Sequence, residues 1–373
     1  MKCDRVCFVL LLLLLLGLPA ITSAQSRRVP QATPTPPVHD DDTERVETEE
    51  IKLNVVAFDQ AGKFVEDVKE SDLVITENNI LHQPSSVRRI PASVIIVLDT
   101  GGEQRQVKNL DQTRRTARAL IAALNANDSI AIMQNSDKAE IVGEWTTDKV
   151  EASKIVGRTN FGRSSVFADA LNLARDFFSK NPLENKHLVL ISDGTDTMNG
   201  DAAKRQAIQR MIATDISVHV ISYSRLEVAD IAPRTKSVSN SAPPMAMPPE
   251  VAGTMPNGVR DVATAPKAKS INLDRKQLKT FRNRKADLQN SERQLDALAD
   301  STNGTAVNPE TLDEMIDKTA LIAKMIDASY AVTYIPKVPI SNGTPSERNI
   351  QVTSRRSGLL VEARRKVAVT SAK

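Results

Sequence analysis

Fully apolar strands constrain the fold of this chain most, because a strand without a polar face must be covered on both sides. Residues 94–98 read Val-Ile-Ile-Val-Leu, and residues 188–191 read Leu-Val-Leu-Ile. Apolar residues at helical spacing follow the first of these segments over residues 107–124. The alternation of strand and helix continues to residue 222 and returns over residues 305–335. This pattern predicts a doubly wound α/β fold, in which helices cover both faces of a mostly parallel sheet.

A two-residue period replaces this pattern towards both ends of the chain. Residues 50–90 alternate apolar and polar side chains, which predicts a small N-terminal β-rich unit. Residues 337–373 show the same period on both sides of Ser357-Gly358, and they are predicted to form a C-terminal β-hairpin followed by a tail. The α/β domain is therefore expected to span residues 91–336.

Proline-rich segments interrupt these patterns twice. Residues 25–49 combine four prolines with an acidic run, and they are predicted to be a disordered linker. Seven prolines fall within residues 231–269, so a disordered insertion is predicted over residues 225–288. The end of that insertion is basic, with six Lys and Arg residues between positions 275 and 285, and it is interpreted as the solvated face of a helix.

The N-terminus is typical of an export signal. Two basic residues precede an apolar run over residues 6–16, and Thr22-Ser23-Ala24 is a small-residue cleavage site. The run is short compared with the ~20 residues that span a bilayer. Residues 1–24 are therefore predicted to be a signal peptide cleaved after Ala24, and no later segment is apolar enough to cross a membrane. The mature protein is expected to be secreted or periplasmic, without thiols, since Cys3 and Cys7 both lie in the signal.

Composition argues against several classes of function. With 49 Lys and Arg against 46 Asp and Glu, the net charge of +3 does not indicate a nucleic-acid partner. An aromatic content of 3% disfavours sites that stack bases or sugars. The four histidines lack metal-ligand spacing, and the chain has no nucleophile elbow and no phosphate-binding glycine loop. No enzymatic activity is predicted.

Two carboxylates stand at predicted strand ends, where α/β proteins collect functional residues. Asp99 ends the strand over residues 94–98, and Asp193 closely follows the strand over residues 188–191. Paired carboxylates at this edge bind a hard divalent cation such as Mg²⁺ or Ca²⁺, or they cap the turns that follow the strands. The residues alone leave both interpretations open.

The order of these segments resembles a von Willebrand factor type A (VWA) domain. The motifs that carry the resemblance are the strand ending at Asp99, the stretch Gly162–Leu171, and Ser192-Asp193-Gly194 after a second apolar strand. The flanking β segments resemble the secreted, acidobacterial-type VWFA-related proteins. The resemblance implies a Rossmann-like fold that binds a protein partner through a metal-ion-dependent adhesion site. That site uses an Asp-x-Ser-x-Ser motif, a Thr and a second Asp, and an acidic group of the partner completes the metal shell.

Carried over position by position, the site departs from the family pattern. Asp99 matches the first Asp, Ser165 stands for the Thr, and Asp193 matches the last Asp, whereas Gly101 and Glu103 replace the two serines. The glycine offers no oxygen, and a third carboxylate lowers the residual charge of a bound cation. The resemblance implies Asp99, Glu103, Ser165 and Asp193 as ligands of Mg²⁺ or another divalent cation. A weak or altered cation site and a metal-free relic remain alternatives.

The function implied is a secreted or periplasmic adhesion or scaffold module that binds a protein through this degenerate site. One alternative is a metal-free structural or assembly component of the cell envelope. Another is a Mg²⁺-dependent hydrolase that uses the same carboxylates, although the sequence shows no general base or nucleophile for it.

Overall fold

A computed structural model of the chain describes residues 50–102, 110–181, 183–239, 270–271, 274–338, 346–364 and 366–369. The predicted signal peptide and linker, and the candidate ligand Glu103, lie outside these residues. Among the helices described, none is long and apolar enough to cross a membrane.

The secondary-structure elements are numbered in chain order. The strands are β1 Ile51–Asp59, β2 Leu73–Glu77, β3 Ile80–His82, β4 Ser86–Arg88, β5 Ser93–Asp99, β6 Ser129–Asn135, β7 Ala139–Thr146, β8 Lys186–Ile191, β9 Ser217–Ile221, β10 Val238–Ser239, β11 Ser270–Ile271, β12 Ala306–Val307, β13 Ser329–Tyr334, β14 Ser346–Ser354, β15 Leu359–Ala363 and β16 Lys366–Val369. The helices are α1 Leu110–Ala123, α2 Lys149–Val156, α3 Phe167–Ser179, α4 Gly200–Ile212, α5 Ser224–Ile231, α6 Arg275–Ser301 and α7 Leu312–Asp327, with 3₁₀ turns at Glu70–Asp72 and Ala232–Thr235.

The central sheet has six strands in the order β12-β9-β8-β5-β6-β7. All neighbouring pairs are parallel except β6 and β7, which run antiparallel at one edge. Strand β5 lies between β6 and β8, and every one of its residues is buried, which explains its unbroken apolar sequence. The prediction of a doubly wound, mostly parallel α/β sheet is confirmed.

Two apolar layers cover this sheet. Ile96 and Leu98 of β5 face a layer that α1, α2 and α7 complete with Leu120, Ile155 and Ile322. Ile95 and Val97 face the opposite layer, to which α3, α4 and α6 contribute. That second layer contains Phe167, Leu171, Met211, Leu295 and Leu298. Because β5 side chains alternate between the two layers, the position of Asp99 along the strand determines the face of the sheet towards which its side chain points.

A β-sandwich is built from strands that precede and strands that follow the α/β region. One sheet has the order β15-β1-β13-β4, and the other has the order β16-β14-β2-β3. Both sheets contribute to a single buried cluster, which includes Leu53, Ile75, Val332 and Val352. In the sequence, the α/β region is thus an insertion between the N-terminal and the C-terminal strands of the sandwich.

The predicted C-terminal hairpin is wrong in its pairing. Residues 346–354 and 359–363 are strands, but β14 pairs with β2 and β16, whereas β15 pairs with β1. Residues 355–358 therefore carry the chain from one sheet of the sandwich to the other. A two-residue period identifies a half-buried strand but does not identify its partner, which the N-terminal strands supply here.

The disordered insertion predicted over residues 225–288 is wrong at both of its ends. Helix α5 and the following 3₁₀ turn occupy residues 224–235, and α6 begins at Arg275. Asp274 caps α6 by accepting hydrogen bonds from the N–H groups of Lys276 and Gln277. Buried Leu278 and Leu288 hold the first turns of that helix, despite its many charged residues. The proline-rich core of the insertion, residues 240–269, lies outside the described residues.

A series of buried, hydrogen-bonded polar groups connects β1 of the sandwich to β8 and β9 of the central sheet. The N–H of Thr305 donates to Nδ1 of His219 over 3.2 Å, so Nε2 of His219 carries the proton that faces Nδ1 of His187 at 3.0 Å. Nε2 of His187 then donates to Asn185 Oδ1 over 2.8 Å, and Asn54 of β1 lies 3.4 Å from the same oxygen. Both imidazoles are therefore neutral. Sequence spacing gave no sign of this pair, because parallel strands 32 residues apart bring it together.

Acidification is expected to destabilise the protein through this pair. Burial lowers the pKa of His219 to about 4 and that of His187 well below its usual value. Between about pH 6.5 and pH 4 the unfolded chain binds protons that the folded chain refuses, so the free energy of unfolding falls as the pH falls. His219 alone is expected to lower the free energy of unfolding by about 2 kcal/mol between pH 8 and pH 5. Urea unfolding at several pH values measures the loss, and NMR follows each imidazole. A midpoint near 6.5 for either ring in the folded protein would contradict the prediction.

Candidate functional site

The carboxyl ends of β5 and β8 bring two of the candidate residues to one edge of the sheet. Leu98 of β5 is in register with Ile191 of β8, so Asp99 and Ser192 follow at the same level. Asp99 is fully buried, and its Oδ2 accepts a hydrogen bond of 2.6 Å from the Ser192 hydroxyl. Its Oδ1 lies 3.4 Å from the hydroxyl of Ser165, which precedes α3. The structure therefore places the side chains of Asp99 and Ser165 next to each other.

Asn135, which the sequence analysis did not select, holds Ser165 in place. This residue ends β6, and its amide Nδ2 donates to Ser165 Oγ over 2.9 Å while its Oδ1 accepts from the Val166 N–H over 3.0 Å. The rule that selected Asp99 also applies to Asn135, because both are polar residues at the carboxyl end of a parallel strand. On its other side, the N–H of Ser165 donates to the Thr197 hydroxyl over 2.9 Å, and the Thr197 N–H donates to the Ser165 carbonyl oxygen over 2.9 Å.

Asp193 uses both of its carboxylate oxygens within the protein. Its side chain is fully buried, and Oδ1 accepts from the N–H and the hydroxyl of Thr195, each over 2.7 Å. Its Oδ2 accepts from Nη2 of Arg284 over 3.1 Å. The turn at residues 193–195 and an ion pair to α6 therefore fix the orientation of this carboxylate.

Arg284 reaches the sheet edge from α6 and joins two buried carboxylates. Its Nη2 donates to Asp193 and, over 2.7 Å, to Glu227 of α5. Burial disfavours the charged guanidinium, but Asp193 and Glu227 outweigh that effect and hold the pKa of Arg284 above its usual value. The basic pattern of residues 275–285 predicts a solvated helix face for this arginine. Its side chain is in fact only 22% exposed.

The backbone at Gly101 excludes any side chain. A Cβ added there would lie 1.7 Å from the carbonyl oxygen of Ser164 and 2.7 Å from its carbonyl carbon. Ser164 cannot retreat easily, since its N–H donates to Asp137 Oδ1 over 2.7 Å. The glycine that replaces the first serine of the adhesion motif is thus part of a close contact between two loops.

A cavity of about 300 Å³ lies beside these residues. The ends of β5 and β8 form one wall, and α5 and α6 form the other. Its lining residues are Gly101, Gly102, Asp193, Thr195, Thr197, Glu227, Thr280, Asn283, Arg284 and Asp287. The cavity is therefore walled by the family motifs on one side and by the helix that follows the proline-rich segment on the other.

The oxygens of the described candidate ligands are already hydrogen-bonded within the protein, which disfavours a divalent ion at this edge. Among the described residues, no group of three or more His, Cys, Asp or Glu side chains is placed to hold a metal. The oxygens of Asp99, Ser165 and Asp193 take part in hydrogen bonds within the protein, and the cation next to Asp193 is a guanidinium. An octahedral or larger shell needs oxygens that are free to turn towards the ion. The assignment of Asp99, Glu103, Ser165 and Asp193 as metal ligands stays a prediction.

Comparison with known proteins finds a family model that matches the motif-bearing region. Residues 94–195 match the model described as the von Willebrand factor type A domain. Similar solved structures include the von Willebrand factor type A protein from Catenulispora acidiphila, with 11% identity over 87% of this chain and 74% of that chain and a TM-score of 0.41. An aerotolerance-related membrane protein from Bacteroides fragilis is 16% identical over 64% of this chain and 98% of its own, with a TM-score of 0.38. Manganese-loaded TRAP from Plasmodium vivax is 10% identical over 84% of this chain and 97% of its own, with a TM-score of 0.36. No curated protein sequence matches the chain.

Proposed function

From the premise that this chain carries a von Willebrand factor type A domain, we propose that it is a secreted or periplasmic, non-enzymatic module that binds a protein partner. The binding face is the carboxyl edge of the central sheet, where the adhesion motif is degenerate. Asp99, Ser165 and Asp193 are kept there, and Gly101 and Glu103 depart from the pattern. The export signal at residues 1–24 and the linker at residues 25–49 are part of this proposal.

One observation carries the proposal: the cavity lies where the family match and α6 meet. Gly101, Gly102, Asp193 and Thr195 belong to the matched residues 94–195 and line one wall. The described lining residues are hydroxyls, carboxylates, an amide, a guanidinium and glycines, without histidine or cysteine. Such a wall offers hydrogen bonds and charges with which a polar protein surface is recognised.

Helix α6 offers a way to block the cavity without disturbing its base. Asn283 is an exposed lining residue, whereas Gln289 is exposed on the same helix and is not among the lining residues. The two residues are six positions apart, which turns their side chains well apart around the helix axis. A tryptophan at position 283 should fill the cavity mouth, and a tryptophan at position 289 should leave it open.

Asn283→Trp is expected to weaken partner binding by at least about tenfold, whereas Gln289→Trp is expected to bind as the wild type does. The exported chain and both variants are immobilised, and an envelope extract of the source organism is passed over each. Mass spectrometry quantifies the retained proteins, and the binding constant of the leading protein is then measured with each variant. A partner that binds Asn283→Trp as tightly as the wild type would place the binding face elsewhere. A wild-type chain that retains no protein would contradict the interaction role.

A further inference from the structure

The guanidinium of Arg284 places a positive charge next to the carboxylate of Asp193. Arg284 bridges Asp193 and Glu227, so one guanidinium serves two buried carboxylates that belong to different elements. Buried carboxylates are costly unless they are paired and hydrogen-bonded. The guanidinium therefore supplies the positive charge that a metal ion supplies at a cluster of carboxylates.

A second cation of the chain adds to this field. Lys204 of α4 is buried and donates to Ser291 Oγ of α6 over 3.0 Å. Burial lowers the pKa of this lysine, and the nearby charge of Asp193 opposes that shift. A divalent ion at Asp193 would lie near two positive side chains, and Arg284 would have to leave Oδ2 before the ion could bind there. Because like charges repel, Arg284 and Lys204 both disfavour a divalent cation at Asp193.

Packing holds Arg284 in this position. Leu288, Leu295 and Leu298 of α6 are fully buried, and the latter two lie in the same apolar layer as α3 and α4. Arg284 lies one turn before Leu288 on this anchored helix. Gly101, on the opposite wall, cannot be converted to the missing serine because of the Ser164 carbonyl. The two walls are thus built around an arginine and a close backbone contact.

We infer that Arg284 is the resident cation of this face, which neutralises Asp193 and Glu227 so that the face is assembled without a divalent metal ion. The inference rests on the proposed function for the role of the face. Its test uses metal ions alone and needs no partner, so a failure here is distinguishable from a failure of partner binding.

The test combines metal titration with thermal unfolding of the full exported chain. Titration of the wild type with Mg²⁺, Ca²⁺ and Mn²⁺ is expected to give no saturable heat and no shift in Tm. Arg284→Gln is expected to lower the Tm by roughly 5 °C or more, because it removes a charged partner from two buried carboxylates. Arg284→Lys keeps the charge and should retain part of that stability. In a double-mutant cycle, the variant with both Arg284→Gln and Asp193→Asn should lose less stability than the sum of the losses in the two single variants.

Arg225→Gln is the matched control. Arg225 pairs with Glu292 over 3.0 Å across the same two helices, but its side chain is 48% exposed, so its loss should change the Tm little. Saturable metal binding by the wild type that Asp193→Asn abolishes would overturn the inference. A Tm of Arg284→Gln no lower than that of Arg225→Gln would also overturn it. If Arg284→Gln fails to fold, the wild-type titration and Arg284→Lys still decide.

Discussion

Gly101→Ser, the substitution that would restore the first serine of the adhesion motif, is expected to destabilise the protein by more than about 3 kcal/mol. The Cβ of the serine would fall 1.7 Å from the carbonyl oxygen of Ser164. That contact is with backbone, so no rotamer change relieves it. Hydrogen bonds to Asp137 and Thr197 hold the backbone at residues 164 and 165, so the loop cannot move away without breaking them.

A matched glycine shows whether the loss is specific to this contact. Gly157 follows α2 with a φ of −65°, and an added Cβ would lie 3.1 Å from the Lys154 carbonyl oxygen. Gly157→Ser is expected to change the free energy of unfolding by less than about 1 kcal/mol. Urea unfolding followed by circular dichroism compares the two variants. A Gly101→Ser protein as stable as the wild type, with saturable Mn²⁺ binding, would instead support the metal site implied by the family pattern.

The second large effect is expected at Arg364, whose buried guanidinium satisfies carbonyl groups near the ends of two helices. It donates to the carbonyl oxygens of Ile216 over 2.7 Å, Ile212 over 3.3 Å and Thr302 over 3.4 Å, and also to that of Thr214. Ile212 ends α4 and Thr302 follows α6. Burial lowers the pKa of Arg364 to about 10, partly opposed by Asp215, so the group stays charged at neutral pH.

Arg364→Met is expected to lower the free energy of unfolding by about 3–5 kcal/mol. Methionine keeps part of the apolar volume but leaves the carbonyl groups without a donor. Arg356→Met is the control, because Arg356 is an exposed residue that pairs with exposed Asp67, and its loss should leave the stability essentially unchanged. Thermal and urea unfolding measure both variants. Equal stability of the two variants would show that water replaces the guanidinium at no cost.

Sequence reasoning located the sheet and the strand-end residues, because both follow from local patterns. Apolar runs such as residues 94–98 specify strands covered on two faces, and parallel strands bring Asp99 and Ser192 to one edge whatever the rest of the chain does. Helix α2 was not predicted, and the C-terminal strands were given the wrong partners. Periodicity reports which face of an element is buried, but the partner that buries it is a tertiary property.

Arg284 shows where such reasoning ends. It lies 91 residues from Asp193 along the chain, beyond a proline-rich segment and within a helix whose charged residues indicated solvent. The packing of α6 on the sheet brings Arg284 next to Asp193, and no spacing rule in the sequence predicts such a contact. The same holds for the His187–His219 pair, which only the register of β8 and β9 makes visible.

The insertion of the α/β region within the sandwich has a mechanical consequence. Strand β1 enters the described fold and β16 leaves it, and each pairs with other strands of the sandwich. A pull applied across residues 51 and 369 loads the sandwich hydrogen bonds before any tension reaches β5 or β8. A chain stretched between these two residues is thus expected to yield first in the sandwich, before the cavity at the sheet edge changes shape.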